Sequence, residues 1–162
     1  MRLVAVCAAA LVLSGSAAAA LPLHGALVPG RALGGIRLGD SPAQVQAKLG
    51  TSFGVCRGCA TMTWYFTYRK FDRRGLAVEL DGGRVSAVYT LWQPDGWTAP
   101  RGLRLGAVEA QITALAGATI PIVCSGYDAR VSDGGRARTV YYVVRGKLWG
   151  FGLLQPRANP CR

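Results

Sequence analysis

The amino-acid sequence predicts an α+β fold in two tandem units, each a short helix followed by about three antiparallel strands. Three observations support this prediction: a glycine-bounded pentad occurs twice, a helical pattern follows each copy, and strand-like runs follow each helix. Internal repeats are weighed first because they decide how a chain is organised. A helix covers only one face of a sheet. We therefore expect both helices on one face of a shared sheet, with the other face left open.

The repeated pentad sets the predicted organisation of the chain. It reads Gly-Ile-Arg-Leu-Gly at residues 35–39 and Gly-Leu-Arg-Leu-Gly at residues 102–106. The first predicted unit spans residues 34–92 and the second spans residues 102–155. The remaining segments are a signal peptide at 1–20, an N-terminal tail at 21–33, a linker at 93–101 rich in turn formers, and a disulfide-tied tail at 156–162.

Each pentad precedes a predicted helix. In the first unit Ser41 is a candidate N-cap, Pro42 suits the first helical position, and Gln44 completes a capping box. This helix is predicted to end at Gly50, because glycine readily adopts the left-handed conformation found beyond helix C-termini. The second helix has weaker start signals and is predicted to end at Gly117.

Strand-like runs follow both helices. They are rich in aromatic and β-branched residues, which favour strands, and a Gly-Gly pair between two of them fits a two-residue hairpin turn. The predicted strands are residues 62–68, 75–80 and 84–92 in the first unit, and residues 122–131, 138–144 and 147–154 in the second.

The N-terminus has the anatomy of a secretory signal. Met1 and Arg2 precede an apolar run from Leu3 to Leu13, and small residues then offer a cleavage site near Ala20. The run is short for a membrane span, which needs about 20 apolar residues, so a retained anchor is the less favoured alternative. The expected location is outside the cell or in the cell envelope.

The charge balance favours anionic partners. Without residues 1–20 the chain keeps 18 basic and 8 acidic side chains, a net charge of +10. The cations are scattered, with Arg73-Arg74 as the only adjacent pair of arginines. For an exported protein we expect an acidic protein, lipid headgroups or a wall polymer as partner, and not nucleic acid.

Four cysteines follow the signal segment: Cys56, Cys59, Cys124 and Cys161. An even number in an exported chain predicts two disulfides, for which three connectivities exist. We favour Cys56–Cys59 as a tight loop and Cys124–Cys161 as a clamp on the C-terminal tail. The alternative for the first pair is a catalytic dithiol, but strand-like residues follow it where a redox motif has a helix.

The sequence offers no catalytic, cofactor-binding or metal site. His24 is the only histidine, so a Ser-His-Asp triad or a histidine-based metal site has little support. The eight acidic residues are dispersed, many of them in predicted turns. We therefore predict a protein that is not an enzyme and uses no small-molecule cofactor.

The aromatic residues give the better functional prediction. Neighbouring strand residues point to opposite faces of a sheet, so Tyr65 and Thr67 should face away from Trp64. Trp92 directly precedes the linker, and Trp97 lies within it. Exposed aromatic residues beside arginine are typical of interface hot spots. We predict that Tyr65, Thr67, Trp92 and Trp97 line the open sheet face and bind a partner.

The repeated motifs also resemble a known superfamily. They are residues 36–41 (Ile-Arg-Leu-Gly-Asp-Ser), Val45, Leu49-Gly50 and 83–85 (Gly-Arg-Val), repeated at 103–106, Ile112, Gly117 and 146–148. This pattern resembles the fold shared by the BamE/SmpA-like outer-membrane assembly lipoproteins and the secreted β-lactamase inhibitory proteins. The lipoproteins carry an acylated cysteine at the mature N-terminus, which this chain lacks. No contact residue of either group carries over.

Together these observations predict an exported, non-enzymatic binding protein. Its partner would be an envelope protein, or an extracellular enzyme that it inhibits, bound through the aromatic open face. The alternative is a cell-envelope assembly factor held by its positive charge to anionic lipid or wall polymer. A thiol oxidoreductase that uses Cys56 and Cys59 is the third hypothesis.

Overall fold

A computed structural model describes residues 20–162 of the chain. The predicted signal peptide, apart from Ala20, lies outside the described residues. Within the described part, no helix is long and apolar enough to cross a membrane.

The described residues form eleven strands and two α-helices of eight residues each. In chain order these are β1 (Gly25–Val28), β2 (Ala32–Leu33), α1 (Pro42–Leu49), β3 (Gly54–Cys56), β4 (Met62–Thr67), β5 (Gly75–Asp81), β6 (Arg84–Leu91), β7 (Trp97–Thr98), α2 (Glu109–Ala116), β8 (Ile120–Cys124), β9 (Tyr127–Asp133), β10 (Arg138–Val144) and β11 (Lys147–Leu154). A single 3-10 turn at Pro100–Gly102 follows β7.

Eight of the strands form one antiparallel sheet in the order β3-β4-β5-β6-β11-β10-β9-β8. The pairing of the central strands β6 and β11 joins its two four-stranded halves, with Gly152 opposite Tyr89. A Cβ atom on Gly152 would lie 2.6 Å from both the Val88 carbonyl oxygen and the Tyr89 Cβ. Such a distance is too short for real contacts, so this junction requires a glycine.

A second, three-stranded sheet has the order β2-β1-β7. β1 pairs in parallel with β7, with Gly25 opposite Trp97. These short strands come from segments that the sequence predicts to be a tail and a linker. Their local pattern is weak, and only pairing between residues far apart in the chain makes them strands.

The predicted fold class of two tandem helix-plus-sheet units is wrong. The structure is mostly β, with 43% strand and 13% helix. Its strands belong to one eight-stranded sheet and an additional three-stranded sheet. Periodicity along the chain finds strands with strong local patterns, whereas β1, β2, β7 and the outer strand β3 depend on pairing that a linear pattern does not contain. The predicted strand at residues 122–131 is divided by a turn at residues 125–126 into β8 and β9.

Both helices pack against the eight-stranded sheet on the same side. Val45 and Leu49 of α1 and Ile112 of α2 belong to one buried cluster with Phe66 and Phe151. The start of α1 is fixed by a capping box: the Gln44 amide donates to Ser41 Oγ (3.3 Å), and the Ser41 amide donates to Gln44 Oε1 (2.8 Å). These contacts satisfy amide groups that a helix N-terminus leaves without intrahelical partners.

The structure pairs Cys56 with Cys59 and Cys124 with Cys161, which is the connectivity favoured from the sequence. The second disulfide closes a loop with a sequence separation of 37 and ties the C-terminal segment to β8. Disulfides form and persist in oxidising compartments. The two bonds therefore fit a secreted protein.

Candidate binding face

The side of the eight-stranded sheet opposite the helices carries a second hydrophobic cluster, and we call it the open face. Its buried members are Ala77, Ala87, Tyr89, Ala129, Val131, Val140, Tyr142 and Leu154. In β4, Trp64 and Phe66 belong to the helix-side cluster, whereas Tyr65 between them packs with the open-face cluster. The strand alternation places successive side chains on opposite faces.

Part of the open face forms a concave site with a volume of about 540 Å³, which we call the aromatic groove. Six aromatic residues line it: Tyr65, Tyr89, Trp92, Tyr127, Tyr142 and Trp149. Thr90, Leu91, Val144 and Arg162 complete the lining. Ligand sites are typically concave, mostly apolar and supplied with a few polar groups, and this groove has that composition.

Tyr142 lies at the centre of the packed rings. The centroids of Tyr89 and Tyr127 are 6.3 Å and 5.8 Å from that of Tyr142, and both rings meet it edge-on. Edge-to-face pairs of this kind contribute about 0.5–1.5 kcal/mol each beyond the area they bury. This part of the groove is therefore preformed by packing between side chains of three different strands.

The hydroxyl of Tyr142 is buried and has no hydrogen-bond partner among the described residues. Burial raises the pKa of Tyr142 above its ordinary value, so this group keeps its proton across the physiological range. A buried polar group without a partner costs about 1–3 kcal/mol. The aromatic groove thus contains one O–H donor whose hydrogen bond the protein itself does not supply.

One end of the groove is formed by Trp92 and Trp149, whose ring centroids lie 5.3 Å apart. Trp92 is 49% exposed, and both Trp92 and Gln93 have left-handed φ values, of 51° and 52°. Left-handed backbone is rare for bulky residues, and such strain is concentrated at functional sites. The Arg73 guanidinium lies 5.1 Å from the centre of the Trp92 ring, in a cation–π contact.

The C-terminal residue of the chain, Arg162, occupies the middle of the open face. Its Nε lies 3.2 Å from Glu79 Oε1, and its guanidinium carbon lies 5.7 Å from the centre of the Tyr89 ring. Tyr89 donates a second hydrogen bond to Glu79 Oε1 (3.1 Å). The Tyr127 hydroxyl donates to the backbone oxygen of Arg162 (2.6 Å). Residues of three strands (β5, β6 and β9) and the Cys124–Cys161 disulfide therefore hold Arg162 in place.

A second groove lies on the other side of Arg162, with a volume of about 640 Å³. It shares Tyr65, Tyr89 and Arg162 with the aromatic groove, and we call it the polar groove because Glu79 and Asp81 also line it. Arg162 thus separates an apolar half of the open face from a polar half. Displacing the Arg162 side chain would join the two grooves.

The structure brings Tyr65 and Trp92 together in the aromatic groove, as predicted, but separates the other two candidates from it. Thr67 lies at the end of β4, where its hydroxyl donates to the Arg69 carbonyl oxygen (3.1 Å). The prediction for Trp97 is wrong, because this side chain is only 2% exposed and belongs to the helix-side core.

The burial of Trp97 results from the pairing of β7 with β1. A Cβ atom on Gly25 would lie 2.5 Å from the Trp97 ring, so the N-terminal segment reaches the indole only because it has glycine there. The indole N–H donates to the Tyr68 hydroxyl (2.6 Å). The position of Trp97 in the predicted linker did not indicate that its side chain is buried.

Sequence reasoning missed Arg162 and four of the six aromatic groove residues: Tyr89, Tyr127, Tyr142 and Trp149. Strand parity offered a signal for Tyr89, which pairs with Ala77 in β5, itself opposite Tyr65. Trp149 gave no such signal because the β10–β11 register shifts beside it: Tyr142 pairs with Gly150, and Val143 pairs with Leu148. A β-bulge redirects side chains in a way that simple alternation does not anticipate.

The Cys56–Cys59 disulfide lies at the edge of the polar groove. Cys56 is the last residue of β3, and the next element along the chain is the strand β4. Cys59 Sγ lies 3.8 Å from the Tyr65 hydroxyl. A helix N-terminus that would lower the pKa of a catalytic thiol is not adjacent to this pair in the sequence. Within residues 20–162, no group of three or more His, Cys, Asp or Glu residues is arranged to hold a metal ion.

No protein-family model matches the chain, and no curated protein matches it in sequence. Among solved structures, the chain is similar to an extracellular protein from Bacillus anthracis str. Ames that contains an SCP domain. The TM-score is 0.52 and the sequence identity is 10% over 74% of this chain. The matched part spans 44% of that protein's chain. At this identity the similarity concerns the fold alone.

Proposed function

We propose that this protein is exported and binds another protein through the open face of its eight-stranded sheet, without catalysing a reaction. The observation that carries the proposal is the aromatic groove, in which the half-exposed Trp92 and the partly buried Trp149 lie beside packed tyrosines. Tyr, Trp and Arg are the residues enriched at interface hot spots. The groove combines all three types.

The geometry of the groove favours tight association. Tyr89, Tyr127 and Tyr142 are already held by one another, so binding orders few additional side chains. The entropy lost on ordering side chains is one of the main costs of association. The Arg162 guanidinium supplies a polar group in this otherwise apolar site, whereas the Tyr142 hydroxyl is buried in its wall.

The proposal includes export with cleavage of the signal near Ala20 and a place outside the cell or in its envelope. The two disulfides and the signal anatomy support it. The resemblance of the repeated motifs to β-lactamase inhibitory proteins and to BamE/SmpA-like proteins points to two kinds of partner: an extracellular enzyme that is inhibited, or an envelope protein.

Site-specific photo-crosslinking tests the open face directly. A photoreactive phenylalanine analogue replaces Val144, which lines the aromatic groove, and in a control variant it replaces Ala47 on the exposed side of α1. Both variants are irradiated in the envelope and culture fluid of the source organism. We expect a discrete protein adduct from position 144 that is lost when Trp149 is also replaced by Ala.

Two outcomes would contradict the proposal. The first is equal adducts from positions 144 and 47, which would indicate random encounter. The second is an adduct from position 47 alone, which would place the interface on the helix side. Thermal unfolding of each variant shows that the protein retains its fold during the experiment.

A further inference from the structure

The loop between β4 and β5 carries the most exposed bulky residue among those described. Its sequence at residues 69–74 is Arg-Lys-Phe-Asp-Arg-Arg, and Phe71 is 90% exposed with a left-handed φ of 68°. A bulky residue in this conformation is an outlier. The backbone thus keeps an aromatic ring in solvent at the end of a hairpin.

The same loop has a surplus of unpaired positive charge. Arg74 is neutralised by Asp72 (3.3 Å) and by Asp95 (3.0 Å). Arg69, Lys70 and Arg73 are exposed, and none of them has an ion-pair partner among the described residues.

Asp72, the only acidic residue of the loop, is hydrogen-bonded to the backbone of the loop itself. Asp72 Oδ1 accepts a hydrogen bond from the Arg74 amide (2.9 Å), and the Asp72 amide donates to the Arg69 carbonyl oxygen (3.0 Å). The hydrogen bonds from Arg74 hold the pKa of Asp72 below its ordinary value. The loop is therefore held in a defined shape, and its uncompensated charge is positive.

Two more exposed apolar side chains lie close to this loop. Leu23 is 68% exposed and lines a small crevice together with Arg69 and Asp72. Trp92 lies beside Arg73 through their cation–π contact. Single exposed apolar residues are common on protein surfaces. Here each lies beside a cation of the loop: Leu23 lines the crevice with Arg69, Trp92 contacts Arg73, and the Lys70 ammonium lies 5.3 Å from the centre of the Phe71 ring.

We propose that this loop is a docking site for an anionic lipid bilayer. Phe71 enters the interface between headgroups and acyl chains, while Arg69, Lys70 and Arg73 contact anionic headgroups. Aromatic side chains are favoured at this interface, and exposed basic residues are attracted to the negative potential of anionic membranes. The site lies at a hairpin end and does not depend on a protein partner in the aromatic groove.

A bilayer fits these features better than an acidic protein does. A ring that stands 90% exposed on a loop has no shaped surroundings of its own to match a partner's pocket. A bilayer requires no such match, because it receives an apolar side chain at any position of its surface. One phenyl ring and three cations predict reversible binding, since even a single fatty-acyl chain gives only marginal anchoring.

Vesicle flotation tests this inference with the protein beginning at Leu21, which retains both hydrophobic clusters and both disulfides. The vesicles contain either phosphatidylcholine alone or phosphatidylcholine with phosphatidylglycerol. The variants are Phe71→Asn, which tolerates left-handed backbone, and Lys70→Ala. The matched control is Val123→Ser, a change at an 84% exposed apolar residue of β8, at the far edge of the sheet.

We expect binding to the anionic vesicles only, decreasing as salt is added. Phe71→Asn should lower the partition coefficient about tenfold, and Lys70→Ala should lower it about fivefold. Val123→Ser should leave it unchanged.

Three outcomes would overturn the inference. Equal binding to neutral and anionic vesicles would show that the three cations do not contribute to binding. Binding of the Phe71→Asn variant with an unchanged partition coefficient would show that the Phe71 ring does not insert into the bilayer. Binding to soluble polyglutamate with the same dependence on Phe71 would identify an acidic polypeptide as the partner. Each outcome leaves the crosslinking result at position 144 unaffected, so this inference and the proposed function fail independently.

Discussion

Replacing Trp97 by Ala and, separately, Trp92 by Ala distinguishes the core of this protein from its binding face. The two tryptophans are close in sequence, but Trp97 is 2% exposed and Trp92 is 49% exposed. Truncation of a buried tryptophan costs about 3–5 kcal/mol, because it removes buried area and leaves a cavity. Trp97→Ala also leaves the Tyr68 hydroxyl without the indole N–H that it accepts from.

For a chain of this size each kcal/mol shifts the melting temperature by about 2–4 °C. Trp97→Ala should therefore melt about 10 °C lower than the parent protein. Trp92→Ala should lose only about 1 kcal/mol, since its main packing partner is the Trp149 ring and such aromatic pairs contribute about 0.5–1.5 kcal/mol. Crosslinking from position 144 should decrease strongly in Trp92→Ala, because truncated hot-spot residues cost at least about 2 kcal/mol of binding.

Thermal and urea unfolding followed by far-UV circular dichroism measure both stabilities without depending on tryptophan fluorescence. The reasoning is refuted if Trp92→Ala is as destabilised as Trp97→Ala, since that would make Trp92 part of the core. It is also refuted if Trp92→Ala keeps both its stability and its full crosslinking yield. A near-neutral Trp97→Ala would contradict the packing of β7 against β1.

Three further predictions concern the disulfides, the tyrosines and the processed N-terminus. Changing Cys124 and Cys161 to Ser should lower the free energy of unfolding by about 4 kcal/mol, because their disulfide closes a loop with a separation of 37. Burial raises the pKa of four tyrosines in the folded state: Tyr68, Tyr89, Tyr141 and Tyr142. Their contribution to the free energy of unfolding is therefore complete below the pKa of about 10 that tyrosine has in the unfolded chain, and it is lost as the pH rises above 10. The exported protein should begin near Leu21, and reduction should add the mass of about four hydrogens.

Each of these predictions has a control and an outcome that would contradict it. The control for the long loop is the Cys56/Cys59 double Ser variant, whose separation of 3 predicts a loss of about 2 kcal/mol; a larger loss there would contradict the loop-entropy reasoning. Phenolate absorbance and circular dichroism should change together above pH 10, and full ionisation of the tyrosines in a folded protein would be the contrary result. A free thiol or a retained residue 2 in the intact mass would contradict the last prediction.

Structural features that involve only residues close together in the chain were predictable from the sequence. Ser41, Pro42 and Gln44 predicted the start of α1, and the structure begins this helix at Pro42 with the capping box formed. The alternation in β4 predicted that Tyr65 and Trp64 lie on opposite faces, and they do. These features depend on hydrogen bonds and strand geometry within a few residues, so a linear pattern contains them.

The candidate site was only half predictable. Tyr65 and Trp92 line the aromatic groove of the open face, whereas Trp97 is buried in the helix-side core. The position of Arg162 was not predicted. It depends on the Cys124–Cys161 disulfide, which holds the preceding residue, and on an ion pair between Arg162 and Glu79. The sequence pattern predicts which face of the sheet a strand residue lies on, but it does not predict which distant segment of the chain covers that residue.

By itself, the sequence determined the basic charge, the even number of cysteines after the signal segment, the capped first helix and the supply of aromatic residues. Tertiary structure alone decided that the segments around Gly25 and Trp97 pair as strands, that β6 joins β11 into one eight-stranded sheet, and that Arg162 divides the open face. The physical reason is the range of the forces involved. Capping and alternation act between neighbours in the chain, whereas strand pairing and burial depend on residues that only folding brings together.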